Sequence, residues 1–260
     1  GQPFTATVTA HNAAGQVVAN YGGATGFARA VTLSDGAALG LGSLAANSVA
    51  ATAFTAGTAS AMPAYHYANK LGAPGTLVLR AIDTDAVSSS GHAEGSTLLR
   101  SGRLRVASGS GRETAGLQLG VRAEYWSGAA WVLNGNDSCT VVPATAVALG
   151  RYRNHLGSPT SAWTTSASAV NMASGSGLLS LTAPTPTASG SLALAINLGS
   201  TTADQSCTSG LAASSGAGLP WLRALNGACA STHDRDPAAQ ASFGIFSPES
   251  RRTVHVRELF

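Results

Sequence analysis

Between Leu117 and Tyr125 every second residue is apolar: Leu117, Leu119, Val121, Ala123 and Tyr125, alternating with Gln118, Gly120, Arg122 and Glu124. An extended chain turns successive side chains to opposite faces, so a strict period of two specifies a strand with one buried side. A helix would need its apolar residues three and four apart. The same period returns in Phe4, Ala6, Val8 and Ala10, in Leu77, Leu79 and Ala81, and in Leu104 with Val106. Trp131 to Leu133 and the two apolar runs of "GSGLLSLTAPTPTASGSLALAINLG" read as further strands, the last two around a Pro-containing turn. Asn12 to Gly15, Ser127 to Ala130 and "NGND" at Asn134 to Asp137 supply turn chemistry, because Asn and Gly tolerate positive φ. "SLAANSVAATAF" is the one candidate helix, and it reads equally as strand or loop.

Strands spaced roughly 8 to 12 residues apart, with Gly and Pro turns and no βαβ alternation, predict an all-β chain of tandem antiparallel β-sandwich domains of immunoglobulin-like type. Ser88 to Thr97 holds no apolar side chain larger than alanine and reads as the linker. Residues 1–99 are then a smaller sandwich and residues 100–260 a larger one. The larger is expected to end in a C-terminal hairpin. "QASFGIF" forms its first strand, "SPESRR" the turn, and "TVHVRELF" a second strand with Val254 and Val256 inward and His255 and Arg257 outward.

Charge narrows the function classes. Only 10% of residues are charged and the net charge is +3, with a single lysine, Lys70. Phosphate backbones need several cations on one face, so no nucleic-acid partner is expected. No apolar run approaches the ~18 residues of a membrane span. Gly1 to Val8 has no charged region followed by an apolar stretch, so an export signal is expected upstream of this chain.

The chemistry-bearing residues are scattered. No Gly-x-Ser-x-Gly elbow occurs, and the six histidines, His11, His66, His92, His155, His233 and His255, show no metal-ligand spacing. The pairs Asp83 with Asp85 and Asp234 with Asp236 could offer oxygens to Ca²⁺, but they lack the further ligands of a calcium loop and read as turn formers. Catalytic residues, metal and cofactor are expected to be none. The three cysteines, Cys139, Cys207 and Cys229, fit one disulfide plus a third thiol in an exported protein. Cys207 with Cys229 is favoured, because 21 intervening residues suit a hairpin-like closure; Cys139 with either partner is the alternative. Tyr125, Trp126 and Trp131 bracket a tight hairpin. Alternation sends Tyr125 and Trp126 to opposite faces, and Trp126 and Trp131 are either a cross-strand packing pair or aromatics that contact a sugar ligand. Asn136-Asp137-Ser138 is a formal glycosylation sequon.

In order along the chain, "FTATVTAHNAAGQVVANYGG", "LRAIDTDAVSSSG", "GRLRV", "VRAEYWSGAAWVLNGNDSCT", "PWLRALNG" and "DRDPAAQASFGIFSPESRRTVHVRELF" resemble the C-terminal region of MSHA (type IV pilus) biogenesis proteins of the MshQ type. That region is a bacterial domain of unassigned function. The resemblance implies an exported, extracellular cell-surface protein whose partners are pilus or other surface proteins, with glycans as a further class, and it implies no enzyme activity. Cys139 in "DSCT" matches the family pattern. The "NGACASTHDRDP" segment is poorer in Asn and Asp than the family's loop, which weakens the case for a Ca²⁺ site there. The expected function is a non-catalytic structural or adhesive module; the alternative is a carbohydrate-binding module that uses Trp126 or Trp131.

Overall fold

The computed structural model describes residues 1–154, 163–224 and 235–244. The chain divides into two compact units. The first comprises Gly1–Arg103, Glu124–Asn134 and Leu219–Asp234, and the second Leu104–Ala123, Gly135–Gly218 and Arg235–Phe260.

Eight strands come first: β1 (Ala6–Thr9), β2 (Val31–Asp35), β3 (Gly42–Ala45), β4 (Ser48–Val49), β5 (Thr58–Ala61), β6 (Ala64–Tyr67), β7 (Gly75–Asp83) and β8 (Ser96–Leu99). They pair as a four-stranded sheet in the order β4-β2-β7-β8 and two ribbons, β1-β5 and β3-β6. In β2 the alternation is direct: Val31 and Leu33 are buried while Thr32 between them is exposed. Ala6, Ala28, Val31, Leu33, Val49, Phe54 and Ala59 form the core of this unit, and Tyr21 meets the Phe54 ring edge-on at 5.1 Å. The candidate helix is instead β3, β4 and one 3-10 turn at Ala51–Ala53. Its alanines pack as well in a pleat as in a helix, and neighbouring strands supply the hydrogen bonds that decide between them.

The Ser88 to Thr97 segment is not a loose connection. Ser89 exchanges hydrogen bonds with Ala81, its Oγ donates to Glu94 at 2.8 Å, and Glu94 holds Arg80 at 2.9 Å. Ser96 and Thr97 already belong to β8, which pairs antiparallel with β7. Hydrogen bonds and one ion pair order a stretch that has no apolar side chain larger than alanine to bury.

The next strands are β9 (Gly102–Val106), β10 (Gly109–Gly111), β11 (Leu117–Trp126), β12 (Trp131–Leu133), β13 (Val141–Val142), β14 (Val147–Asn154), β15 (Val170–Asn171), β16 (Ser176–Leu181), β17 (Gly190–Ile196) and β18 (Ala238–Phe243). β11 pairs with β12, β16 and β9; a second sheet runs β10-β18-β17-β14, in which only the β10-β18 pair is parallel. Leu117, Leu119, Val121 and Ala123 of β11 are buried as the alternation requires, the first three opposite Leu181, Leu179 and Gly177 of β16. β17 is flanked on both sides, and Leu192, Leu194 and Ile196 are at most 1% exposed. The Pro-containing turn between β16 and β17 therefore joins two sheets and is not a hairpin: β16 pairs with β11, and β17 with β14 and β18.

The chain is an all-β protein of antiparallel sandwich type, as the alternation predicts. In "QASFGIF", Ala241 and Phe243 are fully buried on β18. Ile245 to Phe260, and with them the second strand of the expected C-terminal hairpin, lie outside the described residues.

Candidate functional site

In the first unit, aromatic and charged side chains gather around the hairpin of β11 and β12. Its turn closes through Ser127, whose N–H donates to Ala130 O at 2.9 Å and whose Oγ accepts from Ala130 N at 3.1 Å. Gly128 sits in this turn at φ +103, a conformation that a Cβ would strain. The register places Trp126 opposite Trp131, Tyr125 opposite Val132 and Glu124 opposite Leu133. Glu124, Trp126 and Trp131 thus share one face, and Tyr125 lies on the other.

Trp126 and Trp131 meet edge-to-face, with centroids 5.7 Å apart and planes at 65°. The Arg103 guanidinium lies 4.2 Å from the centroid of Trp131 and holds Glu124 Oε2 through Nε at 2.7 Å and Nη2 at 2.6 Å. The Glu124 side chain is 8% exposed, and its ion pair with Arg103 offsets part of the cost of burying a carboxylate. On the opposite face Arg100 covers Tyr125 at 4.5 Å and donates to Asn134 Oδ1 at 2.6 Å. Each face of the hairpin is therefore closed by an arginine that uses both its charge and its flat π surface. This is a clamp. The guanidinium covers one face of Trp131.

Nearby in the same unit, Lys70 is 8% exposed, donates from Nζ to Trp221 O, and accepts on its own carbonyl from Ser101 Oγ. Burial lowers its amine from 10.5 to about 8, since the desolvated cation is the costlier form.

The other candidate residues are dispersed. Asp83 Oδ1 accepts from the N–H groups of Asp85 and Val87, both at 2.9 Å, and Asp85 pairs with Arg29 at 2.8 Å. Asp236 is fully buried and accepts from Leu198 N at 3.1 Å and Gln205 N at 2.7 Å; Asp234 lies outside the described residues. Asp83 and Asp236 act as turn and loop anchors. His11 contacts Gly15 O through Nδ1 at 2.9 Å, His66 and His92 are exposed, and His155, His233 and His255 fall outside the described residues. Among the described residues no three His, Cys, Asp or Glu side chains gather around a metal-sized space. Cys139 is exposed beside Asp137, with Sγ 3.9 Å from Oδ1. Cys207 stands at φ +66, and Cys229 lies outside the described residues, so the expected pairing has one end there.

Arg100 and Arg103 are the site residues that sequence reasoning missed. "GRLRV" does place Arg103 on the polar side of its strand, opposite Leu104 in alternation. Its partners Glu124 and Trp131 lie more than twenty positions along, and no local pattern connects them.

The family described as DUF6701, third domain, matches residues 1–101, and that described as DUF6701, fourth domain, matches residues 100–259. No curated protein matches the chain. No helix among the described residues is long and apolar enough to cross a membrane.

Proposed function

The chain belongs to the DUF6701 family, and from that premise we propose that it is a non-catalytic structural or adhesive module of a bacterial cell surface, associated with type IV pili as in MshQ-type proteins. The observation that carries this reading is the clamped hairpin. Its aromatics are spent on internal packing, with Arg103 held between Trp131 and Glu124 and Arg100 over Tyr125. A carbohydrate-binding module would keep such rings bare. The motifs "VRAEYWSGAAWVLNGNDSCT" and "DRDPAAQASFGIF" support the pilus association by resemblance. One disulfide, Cys207 with Cys229, belongs to the same reading, because an oxidising compartment would form it.

The test is a chromosomal deletion of the gene in a piliated host, scored for surface pilus display and for attachment, with protease shaving of intact parent cells. The expected outcome is surface-accessible protein with reduced attachment in the deletion strain. Protein confined to the cytosol would overturn the proposal, as would a glycan array on which Trp126→Ala abolishes binding without changing the melting temperature.

A further inference from the structure

A second feature lies entirely within the second unit and does not depend on pilus association. β14 and β17 pair in register from Val147 to Gly150, and the register resumes only at Arg153. Gly150 opposes Ala193 and Arg153 opposes Ser191, so Arg151 and Tyr152 together face the single residue Leu192. This is a β-bulge, a device that re-aims side chains. Tyr152 turns to the core, where its ring meets Trp163 edge-on at 4.9 Å, and Trp163 is 1% exposed. Arg151 and Arg153 both reach a cleft of about 390 Å³ whose polar lining is completed by Ser108, Ser191, Thr208 and Gln240. Thr208 of that lining precedes Leu211, which bridges to Gly150, and Ala212 N donates to Leu149 O at 3.0 Å.

The backbone at Arg151 is held at φ +52. Among the described residues, the other non-glycine positions with positive φ are alanines, Ser174 and Cys207; Arg151 is the long cationic side chain in that set. Glycine would occupy this conformation without strain, whereas any side chain with a Cβ pays about 1 kcal/mol or more. A strained residue at a bulge, aimed into a cleft, marks a place where the side chain is used. Arg151 takes no part in the ion pairs Arg29–Asp85, Arg80–Glu94 and Arg103–Glu124 found among the described residues.

We infer that this cleft binds an anionic saccharide, with the carboxylate of a uronic acid or the sulfate of a sulfated sugar seated at Arg151 and Arg153. Guanidinium forks match planar carboxylates and sulfates through paired N–H donors. Ser108, Ser191, Thr208 and Gln240 are the neutral polar residues that sugar hydroxyls require, and Ala193 and Ala238, on the outward face of their strands, leave a small-residue floor for a ring. The volume lies within the usual range for a small-ligand site, about 300 to 1,000 Å³.

The test is an NMR titration of the whole chain with four probes: digalacturonic acid, galactose 6-sulfate, neutral galactobiose and an acetylated diglutamate peptide. At least one acidic sugar should saturate shifts at Ser108, Arg151, Ser191 and Gln240, and the two acidic arms tell carboxylate from sulfate. Galactobiose should bind at least about tenfold more weakly, and raising NaCl from about 50 to about 300 mM should weaken the acidic sugar. Arg151→Gly removes the cation and relieves the backbone, so it should lower affinity at least about tenfold while the melting temperature holds or rises. Arg153→Gln repeats the test without touching the strained position. Equal binding by galactobiose, undiminished affinity in both variants, or no perturbation by either acidic sugar would overturn the site. Binding of the diglutamate peptide alone would overturn the ligand class.

Discussion

Lys70 illustrates how one buried group writes itself into the pH profile. Its amine titrates near 8 in the folded chain and near 10.5 when exposed, so between those values the unfolded state holds more protons. Stability therefore rises from about pH 8 to about pH 10.5, where the folded protein no longer carries a desolvated cation. Lys70→Met should remove that rise and add roughly 1 to 2 kcal/mol at pH 7, the relief of desolvation less the hydrogen bond lost at Trp221 O. Urea melts of both proteins across pH 7 to 10.5 check this; parallel profiles would show that Lys70 titrates as if exposed. Trp131 offers a second case. It is half-buried and touches Trp126 and Arg103, so Trp131→Ala should cost about 2 to 3 kcal/mol, below the value for a fully enclosed tryptophan. A double-mutant cycle with Arg103→Met should return a coupling of about 0.5 to 2 kcal/mol in chemical denaturation. Zero coupling would leave the stacked geometry without energetic weight. The Trp126–Trp131 pair is legible in the hairpin sequence, but the Arg103 contacts are not, because Arg103, Glu124 and Trp131 meet only after three separate strands have paired.

Strands with a buried and an exposed side were legible residue by residue. Leu117 to Ala123 and Val31 to Asp35 show why: period-two alternation is the physical signature of one dry face. Short strands such as β4 and β13, two residues each, carry no period at all. The Ser88 to Thr97 segment reads as a linker because hydropathy registers apolar burial and is blind to the Ser89, Glu94 and Arg80 network that orders it. The bulge in β14 is equally silent in sequence but leaves a strict requirement at Gly150. A Cβ there would lie 2.2 Å from Gly210 O, a backbone atom that cannot turn aside. Gly150→Ala should therefore destabilise the second unit by about 2 kcal/mol or more and displace the segment around Leu211. Amide exchange at Ala212, whose N–H bonds Leu149 O, measures that displacement; unchanged protection would contradict it.

At the scale of the whole molecule, family matches and compact units apportion the chain differently. The matches meet at residues 100–101, yet the first compact unit also takes Glu124–Asn134 and a stretch from Leu219. A fragment ending at residue 101 would lose the partners of Arg100 and the Trp221 carbonyl that holds Lys70. It should melt at least about 5 °C below the first transition of the whole chain, given that 1 kcal/mol moves a domain of this size by roughly 4 to 8 °C. Equal melting temperatures in calorimetry would show that the returning segments add nothing to the first unit. Lys70 has one more consequence. Fourteen of the fifteen basic side chains are arginines, and the sole ε-amine is sealed beneath a tryptophan carbonyl. In the native state, reagents that acylate side-chain amines and proteases that cut after lysine find almost nothing to act on. Modification of that amine becomes a clock for the opening of the first unit, reading out its breathing at one atom while every arginine remains chemically silent.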